Sequence, residues 1–308
     1  MIFQNLEQIA QLSPEKRLTK RGNTHKAPAP SRPFRSNMML NPLRLHHLNR
    51  IDDLPADMIT LNLEDAIAPS RKKEALYNIA LFLSHLEQSN SFIIVRINPL
   101  DQGGIEEIEF LNNVEFDAIR IPKVTNQTEI QRVDKLLKGD REIHISLETK
   151  EAFNQLHQWD KISRFTTANL GILDLLSSLR LPQSLLTIDN PTIHQILSRF
   201  LLDAHSVGIH PISFMFQEYN NTQAFKAWCQ LEKKMGFTTK ACMGPKQVEI
   251  ANEIFAPSKA EIQRARTIKE AFEASSKQAE HGFMDAQYGF IDEPIYRDAL
   301  LILGEPLH

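Results

Sequence analysis

Five short apolar runs in this chain each stop at ionisable side chains. Asn62-Leu63-Glu64-Asp65 closes the first and Val95-Arg96-Ile97-Asn98-Pro99 the second. Ile121-Pro122-Lys123, Ser146-Leu147-Glu148-Thr149 and Gly171-Ile172-Leu173-Asp174 close the next three. Glu148 and Asp174 form a candidate metal pair, because two hard carboxylate oxygens suit Mg2+, a cation that keeps several waters and accepts further oxygens from a substrate. The alternative for Glu148 is a place at the start of a helix near residue 150. Arg96 lies between Val95 and Ile97, so its guanidinium must leave a buried run and find a partner. It reads either as a bidentate clamp for a substrate carboxylate or enolate oxygen, or as a structural partner of Glu64. Glu64, Asp65, Lys123 and Glu148 at equivalent run ends favour the clamp.

Other motifs are weaker. Arg44, His47 and Arg50 follow one another at three-residue spacing, which suits either a phosphate-holding cluster or a solvated helix face. Ser70-Arg71-Lys72-Lys73 reads as an N-cap followed by a solvated first turn, and Gly103-Gly104 as turn chemistry. No Gly-x-Gly-x-x-Gly or Walker loop is present, so a nucleotide-phosphate cradle is missing. His-x-x-x-His and Cys-x-x-Cys spacings are absent too, which leaves zinc without its usual ligands. His144 falls within an apolar run and reads as a core histidine. Cys242 has no adjacent base and reads as packing.

The elements that must position these residues follow from periodicity. Strands are expected at 36–40, 57–63, 92–97, 117–121, 142–147, 165–170, 211–215 and 238–242. Helices fit at 43–52, 71–87, 104–113, 126–138, 150–157, 192–207, 222–235 and 245–255. Eight alternations predict an α/β fold, a (β/α)8 TIM barrel over residues 35–257, whose post-strand loops converge on one face. Residues 1–34 form an N-terminal arm: helically spaced Ile2, Phe3, Leu6, Ile9 and Ala10, then a basic stretch, then the extended spacer Lys26 to Pro33. It reads as a segment docked on the barrel or on a neighbouring subunit, or as a loose tail. Residues 258–308 form a C-terminal helical appendage: a helix over 258–280 capped by Ser258 with Glu261, a loop from His281 to Gly289, and a helix at 293–303.

Bulk properties narrow the partners. Thirty-five basic against 38 acidic residues give a net charge of −3 and no basic field, which argues against nucleic acid and for a small molecule. Two cysteines are too few for a disulfide framework and suit a reducing cytoplasm. The longest apolar runs fall short of the roughly 18 residues of a membrane helix, so a soluble cytoplasmic protein is expected.

At these residues the chain resembles the citrate lyase β-subunit-like branch of the HpcH/HpaI aldolase family. The likeness runs from Arg35-Ser36 to about Leu303. It is carried by Leu63-Glu-Asp-Ala-Ile-Ala-Pro69, Val95-Arg-Ile-Asn-Pro99, Ile121-Pro-Lys-Val124, Leu147-Glu-Thr149, Gly171-Ile-Leu-Asp174, Asn252-Glu-Ile-Phe-Ala-Pro-Ser258 and Gly289-Phe-Ile-Asp-Glu-Pro294. The resemblance implies a Mg2+-dependent carbon–carbon lyase that cleaves a short 3-hydroxyacyl-CoA, of citramalyl-CoA or malyl-CoA type, to acetyl-CoA and a 2-oxo acid. By that resemblance Glu148 and Asp174 bind Mg2+, and Arg96, oriented by Glu64, steadies the oxyanion. Arg50, where the family usually has lysine, holds coenzyme A phosphates with Arg44 nearby. Asp292 matches an aspartate that long members insert into a neighbouring subunit's site, which implies a homo-oligomer, with a homotrimer favoured. Three departures stand out. Pro211-Ile212-Ser213-Phe214 replaces Pro-x-Asp-Gly, Met243-Gly244-Pro245 replaces Ile-His-Pro, and Leu40-Asn41-Pro42 replaces Val-Pro-Gly. They keep open an aldolase acting on a free hydroxy-oxo acid and a non-catalytic binding protein.

Overall fold

A computed structural model describes residues 1–27, 29, 33–276 and 282–305. Parts of the expected spacer (28 and 30–32), of the helix over 258–280 (277–280) and of the loop after it (His281) lie outside the described residues. The chain forms two compact units, Met1–Phe255 and Ala256–His308.

In the first unit, strands β1 (Ser36–Leu40), β2 (Met58–Asn62), β3 (Phe92–Arg96), β4 (Ala118–Ile121), β5 (Glu142–Leu147), β6 (Phe165–Leu170), β7 (His210–Ile212) and β8 (Lys240–Cys242) make one eight-stranded sheet in the order β7-β6-β5-β4-β3-β2-β1-β8. Every pairing is parallel. A further parallel bridge, Ser213 to Lys240, joins β8 to the residue after β7 and brings the two edges of the sheet together. Edge strands closed in this way leave no unpaired ladder, and all post-strand loops open at one end.

The strand interiors change character along their length. Met58, Ile94, Ala118, Ile212 and Ala241 make an apolar plug low in the ring. Two residues further along the same strands stand Thr60, Arg96 and Arg120, the alternation a pleat requires. The outer faces pack on the helices in one large apolar core that includes Ile59, Leu61, Ile93, Val95, Ile119 and Ile145. Each such fully buried aliphatic side chain contributes about 1.5–3 kcal/mol.

The helices are α1 (Leu6–Ala10), α2 (Pro14–Leu18), α3 (Leu45–Leu48), α4 (Lys72–Leu83), α5 (Ile105–Leu111), α6 (Gln127–Leu136), α7 (Lys150–Gln155), α8 (Ile172–Ser178), α9 (Pro191–Ser206), α10 (Thr222–Met235) and α11 (Pro245–Phe255). Local chemistry sets their ends. Asn190 caps α9 by accepting from the Thr192 and Ile193 amides, with Pro191 at the first position. Gly236, at φ 109°, stops α10 in the left-handed conformation. The early helices lie against α4: Phe3 meets Phe82 edge-on at 5.1 Å, and buried Arg17 reaches Glu74 at 3.2 Å and Asn78 at 3.1 Å.

Several local expectations need correction. The helix expected over 43–52 is only the four residues of α3, because Asn41 Oδ1 takes the Leu43 amide and the chain continues in separate turns after Asn49. Ser70 is not a cap. It sits inside a 3-10 turn at Pro69–Arg71, and α4 begins at Lys72, whose ammonium reaches the Asn98 side chain instead of solvent. Helix α8 had no expected counterpart.

In the second unit, Ser258 Oγ accepts from the Glu261 amide and Glu261 Oε2 accepts from the Ser258 amide, a reciprocal cap for α12 (Lys259–Ser276). The expected loop is an antiparallel hairpin, β9 (Gly282–Asp285) and β10 (Gly289–Asp292), followed by α13 (Glu293–Leu303). Asp285 Oδ1 accepts the Gln287 and Tyr288 amides, and Gly289 at φ 79° completes the turn. Ala265, Ile268, Phe272, Ile291 and Ala299 form this unit's core.

Candidate active site

The ionisable run ends meet at the carboxyl ends of the barrel strands. Arg96, the last residue of β3, places Nη2 2.7 Å from Glu64 Oε2 and 3.7 Å from Glu148 Oε1. Lys123 Nζ stands 2.9 Å from Glu64 Oε1, so one carboxylate joins two cations. Glu64 and Arg96 are almost wholly buried. Burial pushes the Glu64 carboxyl up, but Arg96, the hydrogen bonds from Asp65 and the Lys123 ammonium together hold it below its ordinary range. Asp65 moves the other way, raised by burial and by its bond and repulsion with Glu64.

The backbone supports this cluster. Asn98, two residues beyond Arg96, is gripped by Glu107, whose Oε2 takes its amide at 2.8 Å. Lys123 adopts φ 53°, a strained value for a side chain with a Cβ. That conformation turns its amide to Glu148 Oε1 at 2.8 Å while its ammonium holds Glu64. Glu148 takes no part in capping α7. Thr149 does so, accepting the Ala152 amide and donating to the Val124 carbonyl at 2.6 Å. The Glu148 carboxylate is therefore free to face inward.

Burial pushes the Glu148 carboxyl up to about 7; Arg96 opposes this and Asp174 adds to it. Glu148 also packs closely against Gly171. A Cβ there would stand 2.6 Å from Glu148 Oε2, so only glycine lets the carboxylate lie against this backbone. Asp174 sits in the first turn of α8, so the second candidate metal ligand is presented by a helix and not by a strand end.

Glu148, Asp174, Arg96 and Asp65 line one cavity of about 340 Å³. Met39 and Met243 line it too, and both also line a second cavity of about 500 Å³ that holds Arg44, His47 and Arg50. The two cavities are thus neighbours across a pair of methionines. Arg50 is exposed and stands 3.8 Å from Asp53, a solvated pair of small energetic weight. Asp292 belongs to the second unit, where it ends β10 and caps α13 by accepting the Ile295 amide.

The first cavity is also lined by polar residues to which the sequence reading gave no role, among them Asn62, Arg120, Ser146 and Asn169. Arg120 carried a readable signal, since Ala118-Ile119-Arg120-Ile121 repeats the pattern around Arg96. The departures sort differently. Ser213 is wholly buried, beside the Lys240–Glu232 pair at 2.7 Å. Gly244 lines the arginine cavity, and a Cβ there would meet the Tyr219 ring at 2.9 Å. His144 is buried against Glu142 at 3.0 Å, and burial pushes the Cys242 thiol well up, so neither offers a nucleophile.

The residues present fit a hard divalent cation. Two carboxylates face one cavity, and the buried one is short of compensating charge. Among the described residues no group of three or more His, Cys, Asp or Glu forms a closed metal cage, so such a cation would complete its shell with water and substrate oxygens.

An eight-stranded parallel α/β barrel with an acid–base cluster and a carboxylate pair at its mouth is a fold and site suited to enolate chemistry. The chain belongs to the HpcH/HpaI aldolase/citrate lyase family, whose model matches residues 40–245. It is 29% identical over 246 residues to a (3S)-malyl-CoA thioesterase of Cereibacter sphaeroides, covering 80% of this chain and 85% of that one. It is 28% identical over 275 residues to an L-malyl-CoA/beta-methylmalyl-CoA lyase of Rhodobacter capsulatus, covering 80% and 86%. The fold matches that of the protein CitE from Mycobacterium tuberculosis in complex with magnesium, acetoacetate and coenzyme A, at TM-score 0.68 and 18% identity, over 89% of this chain and 98% of that one.

Proposed function

We propose that this chain is a Mg2+-dependent carbon–carbon lyase that cleaves a short 3-hydroxyacyl-CoA of malyl-CoA or citramalyl-CoA type to acetyl-CoA and a 2-oxo acid. The observation that carries this reading is the pair of adjoining cavities, one holding Arg96, Glu148 and Asp174 and the other Arg44 and Arg50. Together they suit a substrate with a reacting acyl end and a phosphorylated carrier.

In the reaction the C2–C3 bond breaks. The hydroxyl proton leaves, C3 becomes the 2-oxo carbon, and the bonding pair passes to the thioester as an enolate that is reprotonated to acetyl-CoA. Arg96, held rigidly by Glu64, faces the enolate oxygen and stabilises charge as it develops. Lys123 keeps Glu64 ionised and Arg96 in place. Glu148 and Asp174 would hold Mg2+, which would supply Lewis-acid stabilisation when bound. Arg50 and Arg44 bind the phosphates of coenzyme A. Asp292 from a second copy moves the proton between the hydroxyl and the enolate carbon, which makes the active form a homo-oligomer, a trimer in this reading. A cytoplasmic location belongs to the same reading and is supported by two cysteines that are free and buried.

Incubation with malyl-CoA and citramalyl-CoA, with and without Mg2+, tests the reading. Mg2+-dependent release of acetyl-CoA with a 2-oxo acid supports it. Release of free coenzyme A with the intact hydroxy acid would make the chain a thioesterase, like the Cereibacter relative. Pyruvate release from a substrate lacking coenzyme A would instead support a free-acid aldolase.

A further inference from the structure

Among the described residues, every polar side chain on the wall of the second cavity comes from a single segment: Asn41, Arg44, His46, His47 and Arg50. The lyase reading assigns the carrier phosphates to this segment, yet it has little structure of its own. Its helix, α3, spans four residues and lacks a side-chain cap, and a helix that short does not hold its shape in water unaided. Leu48 anchors it in the core, but burial of an apolar side chain is non-directional and does not set how the segment is turned. The N-terminal arm ties both of its ends.

At the far end, the buried Asn49 side chain bonds to the arm. Its Oδ1 accepts from the Phe3 amide at 2.6 Å and its Nδ2 donates to the Phe3 carbonyl at 2.9 Å, while the Asn49 carbonyl accepts from the Ile2 amide at 3.1 Å. Phe3 is itself fixed, edge-on to Phe82 at 5.1 Å and to His85 at 4.8 Å. At the near end, the Pro42 carbonyl accepts from Asn78 Nδ2 at 3.0 Å, and Asn78 Oδ1 accepts from Arg17 Nη1 at 3.1 Å. Arg17 makes that bond from α2 while its Nε and Nη2 donate to the Ile9 and Ala10 carbonyls at the end of α1, at 3.1 and 2.9 Å. One guanidinium therefore joins both helices of the arm to α4 and, through a wholly buried amide, to the loop that opens the cavity. Leaving a buried amide half-paired is costly, so Asn78 passes the position of the arm on to Pro42. Ile2, Phe3, Arg17, Asn49 and Asn78 line neither cavity.

We propose that the N-terminal arm is a positioning element of the carrier cavity, with Arg17–Asn78 and Phe3–Asn49 as the two ties that hold Arg44, His47 and Arg50 in one arrangement for the phosphates of the carrier. The inference rests on the lyase reading for the identity of that carrier, coenzyme A. Its physical basis is preorganisation. Cationic side chains on a loose segment lose conformational freedom when the ligand binds, whereas a segment clamped at both ends has already lost it on folding. Both ties act on the backbone of the loop and none reaches the cavity of Arg96, Glu148 and Asp174. Affinity for the carrier should therefore depend on the arm, and affinity for the oxo acid should not.

The test is calorimetric titration of the full-length protein with coenzyme A, set against pyruvate with Mg2+ as the readout of the first cavity. Phe3→Ala and Arg17→Met each loosen one tie without touching a cavity wall. Each should weaken coenzyme A binding roughly three- to thirtyfold, the range over which residues away from a ligand modulate its affinity, and leave pyruvate binding unchanged. In the cleavage assay KM for the thioester should rise while kcat holds. Asn78→Asp separates positioning from stability, because a carboxylate still accepts from Arg17 but no longer donates to the Pro42 carbonyl. That variant should keep the arm docked, read as resistance of the Lys16–Arg21 stretch to trypsin, and still bind coenzyme A more weakly. Coenzyme A affinity unchanged in both Phe3→Ala and Arg17→Met overturns the proposal and leaves the lyase reading intact. A parallel loss of coenzyme A and pyruvate binding also overturns it, since that marks a general loss of structure. Weakened coenzyme A binding in variants of a protein that cleaves no thioester sustains the proposal and sinks the lyase reading. A wild-type chain that takes no coenzyme A overturns both.

Discussion

Glu148 is walled in by Gly171 and by the Lys123 backbone, so a proton and a metal ion compete for the same buried carboxylate. Its folded pKa of about 7 lies above the ordinary value of 4.5, so the folded protein holds this proton more tightly than the unfolded chain does. The metal-free protein is therefore stabilised as pH falls through about 7 toward 4.5 and loses that stability as pH rises. Mg2+ acts in the opposite direction, since it needs the ionised form. Thermal melts with and without Mg2+ should show a large metal-induced rise at pH 8 and almost none at pH 5.5, and Glu148→Gln should abolish the rise at both. The same logic applies to Arg120 with the sign reversed by substitution. Burying the Arg120 guanidinium against a neutral amide oxygen carries a desolvation cost that an apolar side chain of similar length would not. Arg120→Met should raise the melting temperature by several degrees. A fall would mean that Arg120 is a structural contact.

Among the elements, Thr149 joins two pieces of the site. Its hydroxyl caps α7 and also holds the Val124 carbonyl, next to the strained Lys123. Thr149→Ala should cost about 1 kcal/mol as a lost cap, a fall in melting temperature of about 2–4 °C. It should lower turnover more than that loss alone explains, because Lys123 and Glu148 then lose their common tie. Ser258→Ala is the control, since the cap it removes belongs to α12 in the second unit. Strand positions were largely legible in the sequence, because a run buried on both faces must be apolar and short. Helix α8 was not. It opens at Gly171 without a side-chain cap, and its first residues read as the tail of β6. The hairpin at Gly282–Asp292 was missed for the opposite reason: its strands are four residues each and half-exposed, too short for alternation to be counted.

For the molecule as a whole, the open question is whether one chain makes one site. Asp292 caps a helix of the second unit, and the reading that gives it a proton-transfer role needs a second copy. Arg96→Met and Asp292→Ala variants should each be inactive alone. Co-expressed as mixed assemblies, they should regain activity if Asp292 serves a neighbour's site, and a mixture that stays inactive would refute that role. The mixed oligomer must first be confirmed by mass or light scattering.

Residue type and spacing were enough to identify the barrel and the charged run ends after β2 to β5, because backbone pairing and burial impose their periods locally. Partnership is a different matter. Arg96 and Arg120 have near-identical surroundings in the chain, yet one meets Glu64 at 2.7 Å and the other gives its hydrogen bond to the Asn169 amide oxygen at 2.9 Å. That difference comes from the closing of the sheet, which sets residues far apart in sequence at ångström distances and decides which buried charge meets a carboxylate and which meets an amide.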